Sequence, residues 1–522
     1  MGGVLKIGWG RRSIVPERPA AIPGMFYLRV SQGVFNEVTV NALVLENGDD
    51  AAIFVSADMV DLRNDLIVLV TEKLRALRPE LPADKVVMNA THTHAGPQGY
   101  TNAIPADPGL DMMSAAETVD FIARRTAEAV VEAWDSRAPG SVAYGYGLAT
   151  TGHSRRVVYR DDISLRPDAK EDPGIAVNGH GKMYGKTDDP MFSHYEAGAD
   201  PFVYLFYTFD AAGSLTGAIV NAACPAQTNE DAWFLHAGYW HNVREKLRAK
   251  YGDIGVISQC SAAGDLSPRQ LHAVAAETRR YKLKYPELFA KYSRKLPFEY
   301  PEGFCKDPEE LERRHRTALL DLLRAEDIAG RIAAAFDEVL EWAGREKFSA
   351  PELRHTVATV KLERRCFPEA IIRENEKRYA EFAAQPWSDA PELWARIRAN
   401  SMLAARRARC LRVIEAPRTP SDETRIETPV HVVRIGDAAF ATCRYELFGD
   451  FMHRIQARSP FVQTFVVELC AFTGPLAGPY IATERAAANK GFSATPYCNS
   501  VSAAGGQQLV EETLRMLEEL KG

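Results

Sequence analysis

The amino-acid sequence predicts a mixed α/β fold in which largely parallel β-sheets carry flanking helices. An apolar run at residues 51–57, apolar residues at helical spacing over 64–77, and a second apolar run at 85–89 follow one another. Strand, helix and strand in that order form a βαβ unit, whose two strands pair in parallel. The same rhythm returns over residues 218–258 and again over 438–467. Three such units in one chain favour an α/β sheet protein.

Local signals place the ends of several helices. Asn64 or Asp65 is the expected N-cap of the first helix, because short polar side chains accept hydrogen bonds from free helical N–H groups. Ser114, followed three residues later by Glu117, predicts a capping box that opens a helix running to about residue 134. The periodic segment 507–520 predicts a final helix that serves packing.

The helices outside the three units predict the domain organisation. Residues 1–268 and 345–522 are expected to form one catalytic domain, interrupted by helical insertions at 269–344 and 368–415. The segment 135–200 is loop-rich, and we interpret it either as a lid over a cleft or as an ordinary surface excursion.

The composition excludes several functional classes. Hydrophobic residues make up 46% of the 522-residue chain and charged residues 25%, with a net charge of -6. These values are those of a globular protein and give no electrostatic footprint for nucleic acid. No apolar run reaches the length of a transmembrane helix, and no signal peptide precedes the first strand. The eight cysteines contain no Cys-x-x-Cys pair, which argues against a disulfide framework. We expect a cytoplasmic enzyme acting on a small or amphiphilic molecule.

A His-x-His motif follows the second strand of the first unit. His92 and His94 leave an extended run, so alternation places both imidazoles on the same side, and Gly96 and Pro97 then turn the chain away. Such a pair can divide the tasks of metal ligand and general base. The alternative is a turn whose histidines bond only to backbone groups.

Each unit also offers polar residues at the carboxyl end of a strand, where α/β sheets collect their ligands. A structural role explains each one singly, as a core cysteine, a capping acid or a turn serine. Their shared position instead predicts one cleft whose nitrogen, oxygen and thiolate donors suit zinc, with an open position for water. The residues are Asp58, His92 and His94 in the first unit, Cys224, Asp265 and Ser267 in the second, and Glu446 and Tyr480 in the third.

Several motifs together resemble the neutral (non-lysosomal) ceramidases and their bacterial relatives. They are Ser56-Ala57-Asp58, Thr91-His92-Thr93-His94-Ala95-Gly96-Pro97, Ser154-Arg155-Arg156, Ala263-Gly264-Asp265-Leu266-Ser267-Pro268 and Pro479-Tyr480-Ile481-Ala482-Thr483. The resemblance implies a zinc-dependent amidase domain of mixed α/β structure, which hydrolyses the amide of N-acylsphingosine.

The resemblance also implies roles for individual residues. His92, Glu446 and Tyr480 are expected to hold the metal, with His94 as a base beside it. Ser267 is expected as the active-site serine, with Asp265 in the same motif. Arg155 is expected to hold the substrate or its oxyanion.

The chain departs from the family pattern at three places. Where the family has a second metal histidine, this sequence reads Ala223-Cys224-Pro225-Ala226. Either Cys224 is a thiolate ligand, or His236 or His241 substitutes, or the metal is weak or absent. Ala95 replaces an expected serine. The chain also ends where ceramidases continue into an immunoglobulin-like domain, so we expect the catalytic domain alone.

The sequence therefore predicts a metal-dependent hydrolase that cleaves an amide, or alternatively an ester. Zinc would acidify a bound water, His94 would move the proton, and Arg155 and Tyr480 would stabilise the oxyanion. Ser267 either attacks directly or orients the water. The loops at 178–184 and 233–236 carry polar and aromatic side chains, which favour a compact polar substrate over long-chain ceramide.

Two rival hypotheses come from the same residues. Asp58, Asp265 and Glu446 could supply the carboxylates of a metal-assisted glycoside hydrolase. The residue Cys224, in place of a metal histidine, favours a degenerate binding protein that has lost its metal.

Overall fold

Two β-sheets packed face to face form the centre of the molecule. The computed structural model describes residues 3–100, 110–169, 178–305, 307–472 and 478–522. Across these residues the strands are β1 (Lys6–Ser13), β2 (Ala21–Ile22), β3 (Arg29–Val30), β4 (Thr39–Asn47), β5 (Asp50–Ala57), β6 (Val86–Ala90), β7 (Ala138–Leu148), β8 (His153–Ser154), β9 (Arg156–Tyr159), β10 (Gly181–Met183), β11 (Phe192–Tyr195), β12 (Phe202–Asp210), β13 (Leu215–Ala222), β14 (Gly255–Cys260), β15 (Leu266–Ser267), β16 (Leu353–Leu362), β17 (Ile426–Ile435), β18 (Ala438–Thr442), β19 (Glu446–Leu447), β20 (Gln463–Val467) and β21 (Tyr480–Ile481). The helices are α1 (Asn64–Leu77), α2 (Ala115–Asp135), α3 (Tyr239–Tyr251), α4 (Val274–Lys284), α5 (Pro286–Arg294), α6 (Pro308–Ala343), α7 (Glu369–Ala384), α8 (Leu393–Ile414), α9 (Gly449–Arg458), α10 (Glu484–Asn489) and α11 (Ala503–Lys521).

The larger sheet has the strand order β14-β13-β12-β7-β1-β4-β5-β6, and the smaller has the order β16-β17-β18-β20. Aromatic side chains fill the space between them. The ring of Phe440 lies 4.3 Å from that of Phe465 in the smaller sheet and 4.8 Å from that of Phe54 in the larger one. Truncating a buried phenylalanine to alanine typically costs about 3–5 kcal/mol, so this contact contributes strongly to holding the two sheets together.

Helices cover the outer face of each sheet and complete a four-layer sandwich. α1 and α2 cover the β1–β4 side of the larger sheet, and α3 and α6 cover its β7–β13 side. α9 and α11 cover the smaller sheet. The second half of the predicted insertion 269–344 thus belongs to the helical layer, since α6 buries Ile328, Ile332 and Phe336 against the sheet.

The prediction of a mixed α/β fold is confirmed, but fewer strand pairs are parallel than expected. The parallel pairs of the two main sheets are β5–β6, β13–β14 and β18–β20, and each is joined by a crossover through a helix. These are the three βαβ units of the sequence. Short turns join β4 to β5, β12 to β13 and β17 to β18, and a tight turn can connect only antiparallel strands.

Local predictions were right at one helix and wrong at another. Ser114 and Glu117 form the expected capping box at the start of α2. The N-cap of α1 is Arg63, so Asn64 and Asp65 already lie inside the first turn. β7 was missed within the segment interpreted as loop, because its glycines mimic a loop composition. At Gly145, a Cβ atom would lie 2.4 Å from the Trp342 ring, so the missing side chain lets α6 approach the sheet.

The second insertion, 368–415, forms a helical hairpin of α7 and α8. The first turns of α8 pack Leu393, Trp394 and Ile397 against the short β2–β3 hairpin. The hydroxyl of Ser401 accepts a hydrogen bond from the backbone N–H of Leu28, at 3.1 Å. None of the described helices is long and apolar enough to cross a membrane.

A pair of buried histidines links β16 and β17. The Nδ1 atom of His355 lies 3.3 Å from the carbonyl of Ala51, which can only accept, so that nitrogen carries the proton. The Nε2 atom of His355 therefore accepts from Nδ1 of His431, at 3.0 Å. Burial lowers the pKa of His355 to about 3 and that of His431 to about 4, so both rings are neutral in the folded protein at pH 7.

Acidification should destabilise the fold through this pair. In the unfolded chain each histidine binds a proton near its ordinary pKa of about 6.5, but in the folded chain it stays neutral to a lower pH. The free energy of unfolding should therefore fall by about 2 kcal/mol per histidine as the pH drops from 7 to 5. Urea unfolding of His431→Gln should show a smaller pH dependence than the wild type. The exposed His194 supplies the control, since His194→Gln should leave the dependence unchanged. An equal pH dependence in all three proteins would contradict the assignment.

Candidate active site

The ends of the three crossovers meet at one edge of the sandwich. His92 and His94 follow β6, Ser267 lies after β14, and Glu446 lies after β18. Tyr480 joins them because β21 pairs with β19, with Glu446 opposite Tyr480 in the register. Pairing of β15 with β8 sets Ser267 opposite His153 and so brings the following Arg155 into the same place.

The guanidinium of Arg155 is the centre of this site. It donates to the carbonyl of Gly264 at 2.7 Å, to Oε1 of Gln227 at 3.2 Å, to the hydroxyl of Tyr480 at 3.3 Å and to Oε2 of Glu446 at 3.5 Å. Burial acts to lower the pKa of Arg155, but Tyr480 and Glu446 outweigh it and raise the pKa above its usual range. The side chain is 2% exposed, and its Nε atom has no hydrogen-bond partner among the described residues. Arg155 is therefore a permanently charged donor in a buried site.

His92 presents one ring nitrogen to this site. Its Nδ1 donates to the carbonyl of Val60 at 2.7 Å, so Nε2 is the ring nitrogen that faces the other side chains. That Nε2 lies 3.4 Å from Oε2 of Glu446 and 3.3 Å from Nε2 of His94. The backbone of His92 has a φ of 61°, an uncommon conformation for a residue with a side chain, and such strain is often found at functional sites.

Hydrogen bonds fix the tautomer of His94. Arg155 can only donate, so the Gln227 atom that faces it is the oxygen, and the amide nitrogen faces Nε2 of His94 at 2.8 Å. The Nε2 atom of His94 is therefore an acceptor. Burial, together with the nearby His92, lowers the pKa of His94 well below its usual value, so the ring is neutral. Gly24, at φ 100°, packs on this ring, and a Cβ there would lie 2.7 Å from the imidazole.

Glu446 and Tyr480 have opposite protonation states. Burial acts to raise the pKa of Glu446, but His92 and Arg155 outweigh it and lower the pKa, so this carboxylate is charged. Burial and the charge of Glu446 raise the pKa of Tyr480 well above its usual value, which keeps the phenol protonated. The site thus holds a carboxylate and a neutral phenol beside the ring nitrogens of two histidines.

Ser267 is fully buried. Its Oγ accepts from the backbone N–H of Arg269 at 3.1 Å and from the hydroxyl of Tyr184 at 3.4 Å. Among the described residues, no histidine or carboxylate hydrogen-bonds to this oxygen. Tyr184 comes from the segment predicted as a lid or surface excursion, and it reaches the site.

A charged network flanks His94 on the side away from His92. The Nδ1 atom of His94 lies 3.7 Å from Oε2 of Glu230 and makes no hydrogen bond. Arg269 bridges Glu230 and Asp321, at 2.9 Å from each. Burial raises the pKa of Glu230, although Arg269 opposes this. A cavity of about 210 Å³ opens beside this network, with Asp231 in its wall.

The donor set can be tested against zinc. Zinc bonds of about 2.1 Å place two ligands of a tetrahedron about 3.4 Å apart, which is the spacing of His92 and Glu446. The phenol of Tyr480 is the next oxygen donor. His94 is less suited, because Gln227 already occupies its lone pair. In the described part of the chain, no three His, Cys, Asp or Glu side chains are arranged to hold a metal ion. His92 and Glu446 thus have the spacing of two zinc ligands, and the phenol of Tyr480 is the nearest further donor.

The three alternative ligands considered from the sequence lie elsewhere. The thiol of Cys224 donates to the carbonyl of Thr151 at 3.3 Å inside an apolar cluster, and burial raises its pKa to about 12. Both ring nitrogens of His236 are engaged, one with the carbonyl of Asn229 and the other with the N–H of Gly238. His241 lies on α3, where burial and the charge of Arg244 lower its pKa. Cys224 and His236 are thus engaged by other partners, and their ligand roles and that of His241 stay predictions.

Two of the acids proposed from the sequence have structural partners. Asp58 is fully buried and pairs with Arg244 through both oxygens, at 2.7 and 3.2 Å. The carboxylate of Asp265 accepts from the N–H of Gly449 at the start of α9, at 3.1 Å, and burial raises its pKa to about 6. Neither side chain reaches the Arg155 centre, although the backbone carbonyl of Asp265 accepts from the N–H of Arg155. Both carboxylates are therefore engaged by structural partners, and the role expected for Asp265 stays a prediction.

Sequence reasoning missed three residues that complete the site. Gln227 follows the end of β13 by five residues, so the rule that ligands collect at strand ends could have found it. Glu230 lies three residues further along the same loop. Gly24 had no signal in the sequence, since its role depends on contact with a ring 70 residues away.

Solved structures share this architecture. A neutral ceramidase from Pseudomonas aeruginosa superposes with a TM-score of 0.60 at 16% identity, over 99% of this chain and 75% of that one. A ceramidase structure complexed with C2 gives a TM-score of 0.59 at 14% identity, over 99% of this chain and 76% of that one. No protein-family model matches the sequence. A search of curated proteins also finds no match. The chain has a neutral-ceramidase-like fold.

The position of Cys224 leads to a direct test by alkylation. Because apolar packing rather than a metal protects the thiol, iodoacetamide should fail to modify Cys224 in the folded protein with or without a chelator. The partly exposed Cys305 and Cys366 should react in both conditions and serve as internal controls. Modification sites are read by peptide mass spectrometry. Reaction of Cys224 only after chelation would restore it as a metal ligand.

Proposed function

We propose that this protein is a metal-dependent hydrolase that cleaves the amide bond of a small or amphiphilic molecule. The support is the fold shared with neutral ceramidases and the set of side chains gathered around Arg155. One observation carries the proposal. Nε2 of His92 lies 3.4 Å from Oε2 of Glu446 and 3.3 Å from Nε2 of His94. A metal ion at this point would bind the ring nitrogen of His92 and the carboxylate of Glu446 together.

His92, Glu446 and Tyr480 would hold the ion. When bound, zinc would polarise a carbonyl oxygen and acidify a water molecule. Arg155 and Tyr480 then supply the donors for a developing oxyanion, since their side chains lie side by side at 3.3 Å. The Nε atom of Arg155 has no hydrogen-bond partner in the described part of the chain, and we propose it as a further donor to the substrate.

His94 is the proposed base. It is neutral, and its Nε2 accepts a hydrogen bond from Gln227, so a water or hydroxyl that displaces the amide can pass its proton there. The resulting imidazolium would be stabilised by Glu230 on its Nδ1 side. Ser267 has no base in contact, so we propose that it orients the attacking water through its hydroxyl.

Two rival functions have less support. The glycoside-hydrolase hypothesis needs a pair of free carboxylates, but Asp58 is bound to Arg244 and Asp265 to the start of α9. The hypothesis of a degenerate binding protein rested on Cys224, whose side chain lies outside the site. Ester hydrolysis uses the same donors and stays a second outcome of the activity test.

The protein should carry about one divalent metal per chain, bound through His92 and Glu446. His92→Ala and Glu446→Ala should each lower the metal content at least tenfold, because each removes one of two strong ligands. His241→Ala is the matched control and should retain the metal. Content is measured by elemental analysis after dialysis, with circular dichroism to check folding. Wild-type protein prepared without chelators and found free of metal would refute the metal dependence.

Activity should favour amides over glycosides. Arg155→Lys keeps the charge but loses the planar fork, so we expect kcat/KM to fall about 100-fold or more with KM little changed.

The charged walls of the cavity near His94 favour polar substrates, so water-soluble amides should be hydrolysed better than long-chain ceramide in detergent. Release of amine is measured over a series of acyl chain lengths. The same assay gives the substrate preference of the wild type and the activity of Arg155→Lys. Activity that climbs steadily with acyl length, with soluble amides inert, would reverse the expectation about substrate.

A further inference from the structure

A second positive centre lies beside the site, on the α7–α8 hairpin. Arg409 of α8 lies over the ring of Phe26, 4.6 Å from its centroid, and over that of Phe492, at 5.4 Å. The Phe492 ring in turn meets Tyr480 edge-on at 6.0 Å. Phe26 follows Gly24, which packs on His94. One aromatic ring therefore separates Arg409 from the proposed site.

Arg409 has no carboxylate partner among the described residues. Its contacts are the two rings, and the groups that favour its charge are Cys498, Tyr480 and Tyr497, none of them an acid. Burial outweighs these groups and lowers its pKa. An uncompensated guanidinium in a partly buried position is costly, and proteins usually pair such groups.

Two further arginines surround the same segment, and neither forms an ion pair with an acid of the described ranges. Arg412 donates to the carbonyl of Tyr497. Arg365 donates to Oδ1 of Asn499 at 2.7 Å, and Asn499 donates to the carbonyl of Tyr480 at 3.1 Å. Burial lowers the pKa of Arg365 to about 10. The surface next to Tyr480 thus has a surplus of positive charge.

The other side of the site is built differently. Arg269 is matched by Glu230 and Asp321, and Arg314 by Asp231 and Glu310. Paired charges there are neutralised within the protein. The unpaired charge at Arg409 is therefore a local feature of the Tyr480 side, where a bound molecule could supply the missing anion.

We propose that Arg409 binds an anionic group of the substrate, so that the hydrolysed amide belongs to a molecule with a carboxylate, such as an N-acyl amino acid. The inference rests on the proposed amide hydrolysis at the Arg155 centre. Phe26 and Phe492 contact the guanidinium and position it, and its planar fork suits bidentate binding of a carboxylate. A neutral N-acylsphingosine would leave this charge unmatched.

The test compares acids with their uncharged carboxamides. N-dodecanoylglycine and N-dodecanoyl-γ-aminobutyrate place the carboxylate at two distances from the amide, and each has a neutral carboxamide of the same shape. Equilibrium binding is measured by calorimetry on Ser267→Ala protein, and hydrolysis on the wild type. We expect at least one acid to bind about 10- to 100-fold more tightly than its carboxamide, the usual size of a charged hydrogen bond.

Arg409→Gln should remove this preference and leave binding of the carboxamides unchanged. Arg407→Gln is the matched control on the same helix, because Arg407 binds carbonyls of Phe382 and Gln385 at the end of the hairpin. If Arg409→Gln does not fold, the comparison of acid and carboxamide binding in protein that keeps Arg409 still tests the inference. Equal binding of both acids and their carboxamides would overturn the inference.

The two proposals fail separately. Selective binding of an acid without hydrolysis of any amide would refute amide hydrolysis and keep the anion site. Equal binding of acids and carboxamides, with hydrolysis of both, would keep the enzyme and refute the anion site. A preference for the acids that persists in Arg409→Gln would also refute the role of Arg409.

Discussion

The buried charge of Arg155 constrains the whole edge of the sandwich. A guanidinium that is 2% exposed must be hydrogen-bonded on nearly every side, or the fold loses several kcal/mol. Its partners come from four separate segments: Gln227, Gly264, Glu446 and Tyr480. No neighbouring stretch of sequence can supply them. The charge therefore ties the loops after β13, β14 and β18 to one point, and their side chains meet there as a consequence.

The crossovers explain why these loops start from the same edge. A parallel pair needs a long connection, and each of β5–β6, β13–β14 and β18–β20 has one that passes through a covering helix. Parallel strands end on the same side, so each unit delivers its following residues to one edge. The antiparallel strands between them widen the sheets without moving that edge. Only about a third of the pairing is parallel, but it determines where the site lies.

Much of this site follows from that rule applied to the sequence. The strand ends before His92, Ser267 and Glu446 were recognisable from apolar runs, and the structure brings all three loops together. The rule locates the end of a strand but does not give the direction of the side chains that follow it. It therefore led to Cys224, whose thiol faces the core, and missed Gln227 three residues later. The acid Asp58 was misread because its partner Arg244 is 186 residues away. Similarly, β7 looked like a loop until α6 was known to need its glycines.

The electrostatics of the cleft follow from how its two walls are completed. Near His94, Glu230 and Asp321 neutralise Arg269 within the protein, so that wall is fully paired before any ligand arrives. At the centre, Nε2 of His92 faces the carboxylate of Glu446 at 3.4 Å, and beyond Tyr480 the guanidinium of Arg409 has no carboxylate partner among the described residues. Because a partly buried charge without a partner costs free energy, a ligand that supplies an anion at Arg409 would recover part of that cost. The metal proposed at His92 and Glu446 and the anionic group proposed at Arg409 would then hold the substrate at two points.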